Sequence, residues 1–255
     1  MKTIFMVIIL GSIITSSIIF AIVIQSNSYF FPKEHYEIEI TGMKDVYLVG
    51  EPYSFGYIIS GYGNSCGNSE IYFPDENGDN VFISIDASCI ANNPIHDFEF
   101  HSITPTGPEF EQPGIKNPGM YAVGVMYEHG TGFEPTQGGQ GFHVVEKICD
   151  DIDAKTEAQC FVESFESCKS SYIQQRLYTV EGDPIIVTGI VESWNDCKLR
   201  VYMDTTHDRY GGHSIGILRS ICEEITVSEK SWQIENCSNF DLPPLLYNLQ
   251  DGESK

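Results

Sequence analysis

The sequence predicts an N-terminal transmembrane helix, then an all-β sandwich, then an α+β domain with one helix on an antiparallel sheet. Three observations predict this order: a long apolar run at the N-terminus, a stretch of short alternating segments separated by turn residues, and one helical repeat after residue 150. The expected boundaries are 1–33 for the membrane segment and its flank, 34–147 for the sandwich, 148–240 for the α+β domain and 241–255 for a C-terminal tail.

The apolar run extends from Ile4 to Ile24 without a charged residue. A helix of this length spans about 30 Å, the thickness of the hydrocarbon core of a bilayer. The aromatic residues 29–31 that follow are typical of a membrane interface. We therefore expect an uncleaved signal anchor that places the bulk of the chain outside the cytoplasm. A cleaved signal peptide is the alternative, with Ser26-Asn27-Ser28 as the cleavage site.

Between residues 34 and 147, polar and apolar residues alternate in short runs, the pattern of half-buried strands. In Tyr53–Ser60, for example, every second residue is a large apolar side chain, and Asn77-Gly78 is a typical hairpin turn. In chain order the expected strands are His35–Ile40, Asp45–Val49, Tyr53–Ser60, Ile71–Phe73, Val81–Ile85, Phe98–Ile103, Met120–Tyr127 and Phe142–Val145. So many short strands predict a sandwich of two sheets.

Two segments of this region carry a resemblance. Tyr47–Pro52 leads into a long strand, and Pro118–Val125 opens a strand near the end of the region. In these features the region resembles the immunoglobulin-like (Ig-like) modules of prokaryotic cell surfaces. The resemblance implies a β-sandwich that presents loops, and it implies no activity. The whole order of anchor, acidic ectodomain, sandwich and cysteine-rich domain is similar to that of surface proteins of ammonia-oxidising archaea.

After residue 150 the pattern changes to one helix followed by strands. Ala158, Phe161, Phe165 and Cys168 recur at helical spacing and form one apolar face. The expected strands that follow are Gln174–Val180, Pro184–Glu192, Lys198–Asp204, Ile217–Val227 and Ser231–Glu235. One helix packed across such a meander is similar to the α+β rolls of the cystatin and NTF2-like families.

All eight cysteines follow the apolar run, and none forms the close CxxC pair typical of zinc or redox sites. We expect disulfides, formed in an oxidising compartment, among Cys66, Cys89, Cys149, Cys160, Cys168, Cys197, Cys222 and Cys237. Cys66 is expected to bridge Cys89, and Cys222 to bridge Cys237 across two strands. Within the predicted helix, Cys160 and Cys168 are roughly 12 Å apart and cannot bridge each other.

The charge of the chain restricts its partners. It contains 36 Asp and Glu against 14 Lys and Arg, for a formal net charge of −22. Such a charge repels phosphate backbones, which excludes general nucleic-acid binding. The expected partners are the membrane, through the N-terminal helix, and a protein at the cell surface.

One polar cluster is a candidate metal site. Asp204, His207, Asp208 and His213 fall in one loop after a predicted strand, and carboxylates with imidazoles can bind zinc or copper. An ordinary hairpin loop explains the same residues, because the loop also contains Gly211-Gly212.

Two further groups have weaker metal interpretations. Asp75, Asn77 and Asp79 are spaced like the first ligands of a calcium loop, but the loop glycine is misplaced and a hairpin turn is favoured. The alternating residues 97, 99 and 101 place two carboxylates and an imidazole on one face of a strand, where a solvated outer face is favoured.

No spacing matches a nucleophile elbow, a zinc-protease motif, a dinucleotide fingerprint or a P-loop. We therefore expect a membrane-anchored extracytoplasmic binding or structural module without catalytic activity and without a cofactor. One alternative is an envelope protein that binds zinc, copper or calcium. A second alternative is a hydrolase whose site assembles between the two domains.

Overall fold

The computed structural model describes residues 35–63, 67–86, 96–101, 110–128, 135–150, 154–178, 182–208, 216–227, 231–239 and 245–246. In these ranges the chain is mostly β, with one helix, α1 (Ala154–Glu166). The strands of the first half are β1 (His35–Thr41), β2 (Val46–Leu48), β3 (Tyr53–Gly63), β4 (Asn68–Pro74), β5 (Asn80–Asp86), β6 (His96–His101), β7 (Phe110–Gln112), β8 (Gly119–Glu128) and β9 (Thr136–Val145). Those of the second half are β10 (Lys147–Ile148), β11 (Ser171–Tyr178), β12 (Pro184–Glu192), β13 (Lys198–Asp204), β14 (Ile217–Cys222), β15 (Glu224–Val227), β16 (Ser231–Glu235) and β17 (Leu245–Leu246).

The first half consists of two sheets with a shared core. One sheet has the order β1-β3-β6, with β7 also paired to β3, and the other has the order β2-β9-β8-β4-β5. Every pairing is antiparallel except β2 with β9. Side chains from both sheets form a single apolar cluster, in which Tyr53 of β3 packs 5.3 Å from Phe142 of β9 between ring centroids.

The alternation predicted for the long strand is confirmed. Tyr53, Phe55, Tyr57 and Ile59 are each at most 3% exposed, because alternate side chains of β3 point into the core. The phenol of Tyr53 donates a hydrogen bond to the carbonyl of Pro74 at 2.5 Å, which satisfies the one polar atom that this ring carries inward.

In the second half, α1 packs on one face of the sheet β10-β11-β12-β13-β14. Phe161 and Ala158 are fully buried against alternate residues of the central strands, such as Val187 and Val201. The predicted helical face is therefore confirmed over its first members. Strands β15, β16 and β17 form a separate three-stranded sheet.

The helix ends earlier than its apolar spacing indicates. Cys168 lies beyond α1 with a left-handed backbone, at φ 55°. The Cys168 amide donates to the carbonyl of Phe165, and the Lys169 amide donates to that of Ser164, a pattern that closes a helix C-terminus.

A single residue joins the two halves. Glu146 lies between the end of β9 and the start of β10. Its amide donates to the Ser170 hydroxyl at 2.9 Å, and its carboxylate accepts from the Ser170 amide at 3.0 Å. Next to this joint, Val145, Tyr172 and Ile190 form a small buried cluster between the sheets. The connection is therefore short and is fixed to the second half by hydrogen bonds with Ser170.

The predicted fold class is wrong in two respects. In the described ranges no helix is both long and apolar enough to cross a membrane, since α1 has 13 residues and spans about 20 Å. The apolar segment 4–24, on which the transmembrane prediction depends, lies outside the described residues. The second half also departs from one helix on one antiparallel sheet: β10 runs parallel to β11, and β15–β17 form a sheet of their own. The physical reason for the parallel pair is that α1 lies between β10 and β11 in the chain and serves as the crossover connection that parallel neighbours require.

Disulfides, predicted from the cysteine pattern, join three described pairs. Cys149 bonds Cys160, Cys168 bonds Cys197 and Cys222 bonds Cys237. The predicted pairing of Cys222 with Cys237 is therefore confirmed. Cys160 and Cys168 bond different partners, as predicted from their distance along the helix. Their Cα–Cα distances are 5.8, 5.3 and 4.0 Å. Cys66 and Cys89 lie outside the described residues.

Candidate functional site

A cleft of about 480 Å³ lies between the outer face of β8 and β9 and the five-stranded sheet β10-β11-β12-β13-β14 of the second half. Its wall in the second half is the sheet face opposite α1, because Val187 and Val201 point toward the helix while their neighbours Thr188 and Tyr202 line the cleft. The main polar and aromatic residues on this wall are Tyr172, Gln174, Thr188, Tyr202, Asp204 and Arg219. The opposite wall carries Met120, Gly141 and His143, with Asp45 beside it.

His143 lies in the cleft wall, and one of its ring nitrogens has no hydrogen-bond partner. Its Nε2 is buried and has no hydrogen-bond partner, and its ring meets that of Tyr202 edge-on at 6.2 Å. Burial is the largest influence on the pKa of His143 and lowers it from its ordinary value, although the nearby Glu192 carboxylate acts in the opposite direction. The neutral imidazole is therefore favoured, with Nε2 as a buried polar atom that has no hydrogen-bond partner.

On the same sheet face and near His143, a largely buried ion pair links β12 and β13. Glu192 is 2% exposed and accepts from Arg200 at 2.5 and 3.2 Å and from Asn195 at 3.0 Å. Burial alone would raise the pKa of Glu192, but the hydrogen bonds from Arg200 and Asn195 together hold it below its ordinary value. This carboxylate is thus committed to structure rather than to a ligand.

Arg219 and Tyr202 form the outer part of the second wall. The guanidinium of Arg219 lies 5.7 Å from the centroid of the Tyr202 ring, at cation–π distance. Arg219 is exposed, so its remaining donors face solvent. The nearby amide of Gln174 donates to the Thr188 hydroxyl at 3.2 Å. The wall therefore presents donors, acceptors and an aromatic ring side by side.

The structure describes three of the four residues of the predicted metal loop. Asp204, at the end of β13, lines the cleft, and its Oδ1 accepts from the amide and the hydroxyl of Thr206 at 2.9 and 2.7 Å. These bonds lower the pKa of Asp204. His207 and Asp208 lie in the turn that follows, and His213 lies outside the described residues. Within the described ranges, no three His, Cys, Asp or Glu side chains are placed to hold a metal ion.

The calcium interpretation of the β4–β5 turn gives way to a hairpin. Oδ1 of Asp75 accepts from the amides of Asn77 and Asp79 at 2.8 and 3.0 Å, as in an Asx turn. The two amide bonds lower the pKa of Asp75. Gly78 has φ 90°, a left-handed conformation that suits glycine in a tight turn. The carboxylate is therefore used by its own turn.

The third candidate group lies on β6. Its backbone pairs antiparallel with β3, which opposes Asp97 to Tyr62, Glu99 to Ser60 and His101 to Ile58. The side chains of β6 lie outside what the structure describes.

The sequence did not indicate the cleft. Apart from Asp204, its residues come from strands that are distant in the chain and carry no motif. The available signal was the second face of β12, where Ile186, Thr188 and Ile190 alternate with buried residues and must contact something on the side away from the helix.

Comparison with known proteins leaves the family open. No protein-family model matches the chain, and no curated protein matches it. Among solved structures, a β-glucosidase from Listeria innocua is similar over 45% of this chain at 14% identity and a TM-score of 0.26, but the chain spans only 17% of that protein. The sporulation control protein Spo0M from Bacillus subtilis is similar over 73% of this chain and 89% of its own, at 10% identity and a TM-score of 0.22. Likenesses this weak carry no argument about fold or activity.

Proposed function

We propose that this protein is an extracytoplasmic binding module without catalytic activity, and that the cleft between its two halves is the ligand site. The observation that carries the proposal is the cleft itself, which has the volume of an ordinary small-molecule site and combines an apolar lining with a few polar groups. The hydrogen-bonded connection at Glu146 supports the proposal, because a short, fixed connection holds the two walls of the cleft in a constant relative position.

An extracytoplasmic location is part of the same proposal. Three disulfides among the described cysteines are characteristic of proteins that fold in an oxidising compartment. The two facing sheets of the first half suit the Ig-like module that the sequence resembles, a scaffold that commonly presents a binding surface.

The electrostatics favour binding over hydrolysis. A general acid in a cleft needs a raised pKa, whereas Glu192 and Asp204 both have lowered ones. Both carboxylates are also engaged by neighbouring donors, as described above. The cleft can therefore recognise a ligand by hydrogen bonds and aromatic contact.

The proposal is tested by blocking the cleft. The full chain and a Thr188→Trp variant are compared by thermal denaturation in the presence of neutral sugars, amino acids, capped peptides, carboxylic acids and divalent metal ions, each at millimolar concentration. Thr188 faces the cleft, so the indole fills it without entering the core on the helix side. A ligand at a hundredfold excess over its Kd stabilises the native state by about 2.7 kcal/mol, which is a rise of several degrees.

We expect at least one compound class to raise the midpoint of the wild type and to leave that of the variant unchanged. Equal responses of the two proteins to every class would overturn the proposal. Conversion of a stabilising compound into product would replace it with the hydrolase alternative.

A further inference from the structure

We propose that the ligand of this cleft is a neutral linear carbohydrate, and that its chain continues from the cleft across the outer face of β8, β4 and β5. The inference rests on the proposed function and gives it a ligand class. It comes from three features: the mixed polar groups of the cleft, an uncharged track that leaves it, and the charge of the whole protein.

The polar groups of the cleft match hydroxyl groups better than any charged group. Arg219 offers only donors, and Asp204 keeps an acceptor oxygen beyond its bonds to Thr206. A hydroxyl is both donor and acceptor, so a polyhydroxylated ligand satisfies both residues at once. The half-buried ring of Tyr202 lies among them and offers an apolar surface to the C–H face of a sugar ring.

An uncharged track continues from the cleft over the sandwich. Gly141 lines the cleft, and Gly139, two residues earlier on β9, lies on the same face. Gly139 pairs with Gly124 of β8, Gly124 with Tyr72 of β4, and Tyr72 with Phe82 of β5, so all of them share this outer face. We call these residues, together with Ala122 between Met120 and Gly124, the neutral track.

The neutral track is flat and ends in two aromatic rings. A Cβ at Gly124 would lie 2.0 Å from the ring of Tyr72, so the absent side chain is what lets that ring lie across the strand. Phe82 contacts Tyr72 at 6.4 Å between centroids and is 70% exposed. From His143 to Phe82 the face spans about 20 Å, given about 4.8 Å between strands and about 3.4 Å per residue. This length suits an extended chain rather than a compact ligand.

The charge of the protein selects a neutral chain. At a net charge of −22 the protein repels polyanions, and the cleft combines Arg219 with the carboxylates of Asp45 and Asp204, so a ligand without net charge can contact groups of both signs. At the cleft itself a peptide is disfavoured for a different reason, because extended peptides bind along a free strand edge. The edge of β14 beside the cleft is already used: Asn239 donates to the carbonyl of Arg219 at 2.8 Å, and the Ser238 amide donates to that of Ile221 at 2.9 Å.

The experiment measures binding of the full chain by calorimetry to three neutral tetrasaccharides: β-1,4-linked glucose, β-1,4-linked N-acetylglucosamine and α-linked mannose. A capped, uncharged octapeptide serves as the probe of the other class. Tyr202→Ala removes the ring in the cleft, and Phe82→Ala removes the exposed end of the neutral track. Tyr178→Ala is the matched control, because this tyrosine is 58% exposed and lines neither the cleft nor the track.

We expect saturable binding of at least one tetrasaccharide, weakened at least tenfold by Tyr202→Ala, at least threefold by Phe82→Ala and unchanged by Tyr178→Ala. The corresponding disaccharide should lose the effect of Phe82→Ala but keep that of Tyr202→Ala. The inference is overturned if no tetrasaccharide binds at 5 mM, as an order-of-magnitude limit for weak recognition of about −3 kcal/mol, or if binding survives both substitutions. Binding of the octapeptide alone, abolished by Thr188→Trp, would overturn the carbohydrate inference and leave the proposed function standing.

Discussion

Removing Arg200 tests whether the ion pair beside the cleft stabilises the second half. In an Arg200→Met variant, Glu192 stays buried but retains only the Asn195 side-chain amide as a donor. An uncompensated buried carboxylate is costly, and breaking such a pair typically lowers the free energy of unfolding by 3–5 kcal/mol. Because the Arg200 side chain is 27% exposed, water can reach the gap, and we expect the low end of that range, about 3 kcal/mol at pH 7.

The assay is urea unfolding followed by tryptophan fluorescence. Both tryptophans, Trp194 and Trp232, belong to the second half, so the signal reports the part of the chain that contains the pair. The matched control is Lys116→Met, which breaks the Lys116–Glu76 ion pair at 2.9 Å; because this pair lies in the first half, the unfolding of both variants is also followed by far-UV circular dichroism. Both of its side chains are about half exposed, so its loss should change stability by less than about 1 kcal/mol.

The pH dependence of stability provides a second test, because lowering the pH has opposite effects on the contributions of Glu192 in the wild type and in the variant. In the wild type the pKa of Glu192 is lowered, so its contribution is complete above the unfolded value of about 4.3 and is lost as the pH falls through the folded pKa. Without Arg200, burial dominates and raises that pKa, so protonation relieves the variant as the pH falls from 7 to 5. The deficit of Arg200→Met should therefore shrink over this range.

Replacing both Arg200 and Glu192 tests whether the loss of stability comes from the unpaired buried charge. The double variant Arg200→Met with Glu192→Leu should recover most of the loss, since no buried charge remains. If Arg200→Met costs no more than Lys116→Met, or if its deficit grows toward pH 5, the buried-pair reasoning is refuted.

Three further predictions follow from other parts of the chain. Replacing Cys168 and Cys197 with serine opens a loop of 29 residues and should lower the free energy of unfolding by about 3.5 kcal/mol. Replacing Cys149 and Cys160, which are 11 residues apart, should lower it by about 3 kcal/mol. The urea midpoints of the two double variants test this order, and a reversed order would contradict it. Gly114→Ala should destabilise the first half by about 1–3 kcal/mol, because its Cβ would lie 2.1 Å from the backbone of Gly50, whereas Gly141→Ala meets nothing nearer than 3.7 Å and should be nearly neutral by circular-dichroism melting. Because the pKa of His143 is lowered in the folded state, the unfolded chain binds a proton at this residue more readily. The stability of the wild type should therefore fall more steeply below about pH 6.5 than that of His143→Phe. Parallel stability curves would count against a buried neutral imidazole.

Much of the secondary structure was predictable, because burial on one face leaves a period in the sequence. The spacing of β3 predicted its four inward aromatic and aliphatic residues, and the bounds predicted for β12, β13 and β16 are those observed. The short strands β7, β10 and β17 were missed, since two or three residues contain no period. The run predicted as Ile217–Val227 is two strands, β14 and β15, that belong to different sheets. Their residues alternate alike, and only the sheet partners distinguish them.

The candidate site was not predictable in the same way. The sequence places Asp204 in a candidate metal loop, and only the folded chain shows that it also lines the cleft and accepts hydrogen bonds from Thr206. His143 and Arg219 carry no signal in the sequence, because an isolated histidine or arginine in a strand matches no motif.

The sequence by itself determined the acidic charge, the use of cysteines as disulfides, the alternating strands of the first half and the helical face around Phe161. These properties depend on composition or on neighbours within one element, so the linear order contains them. The tertiary structure alone decided that β9 passes into β10 through one residue and thereby brings His143 against Tyr202. A cleft is formed by residues that are far apart in the chain, and their proximity depends on how two sheets pack, which no local pattern records.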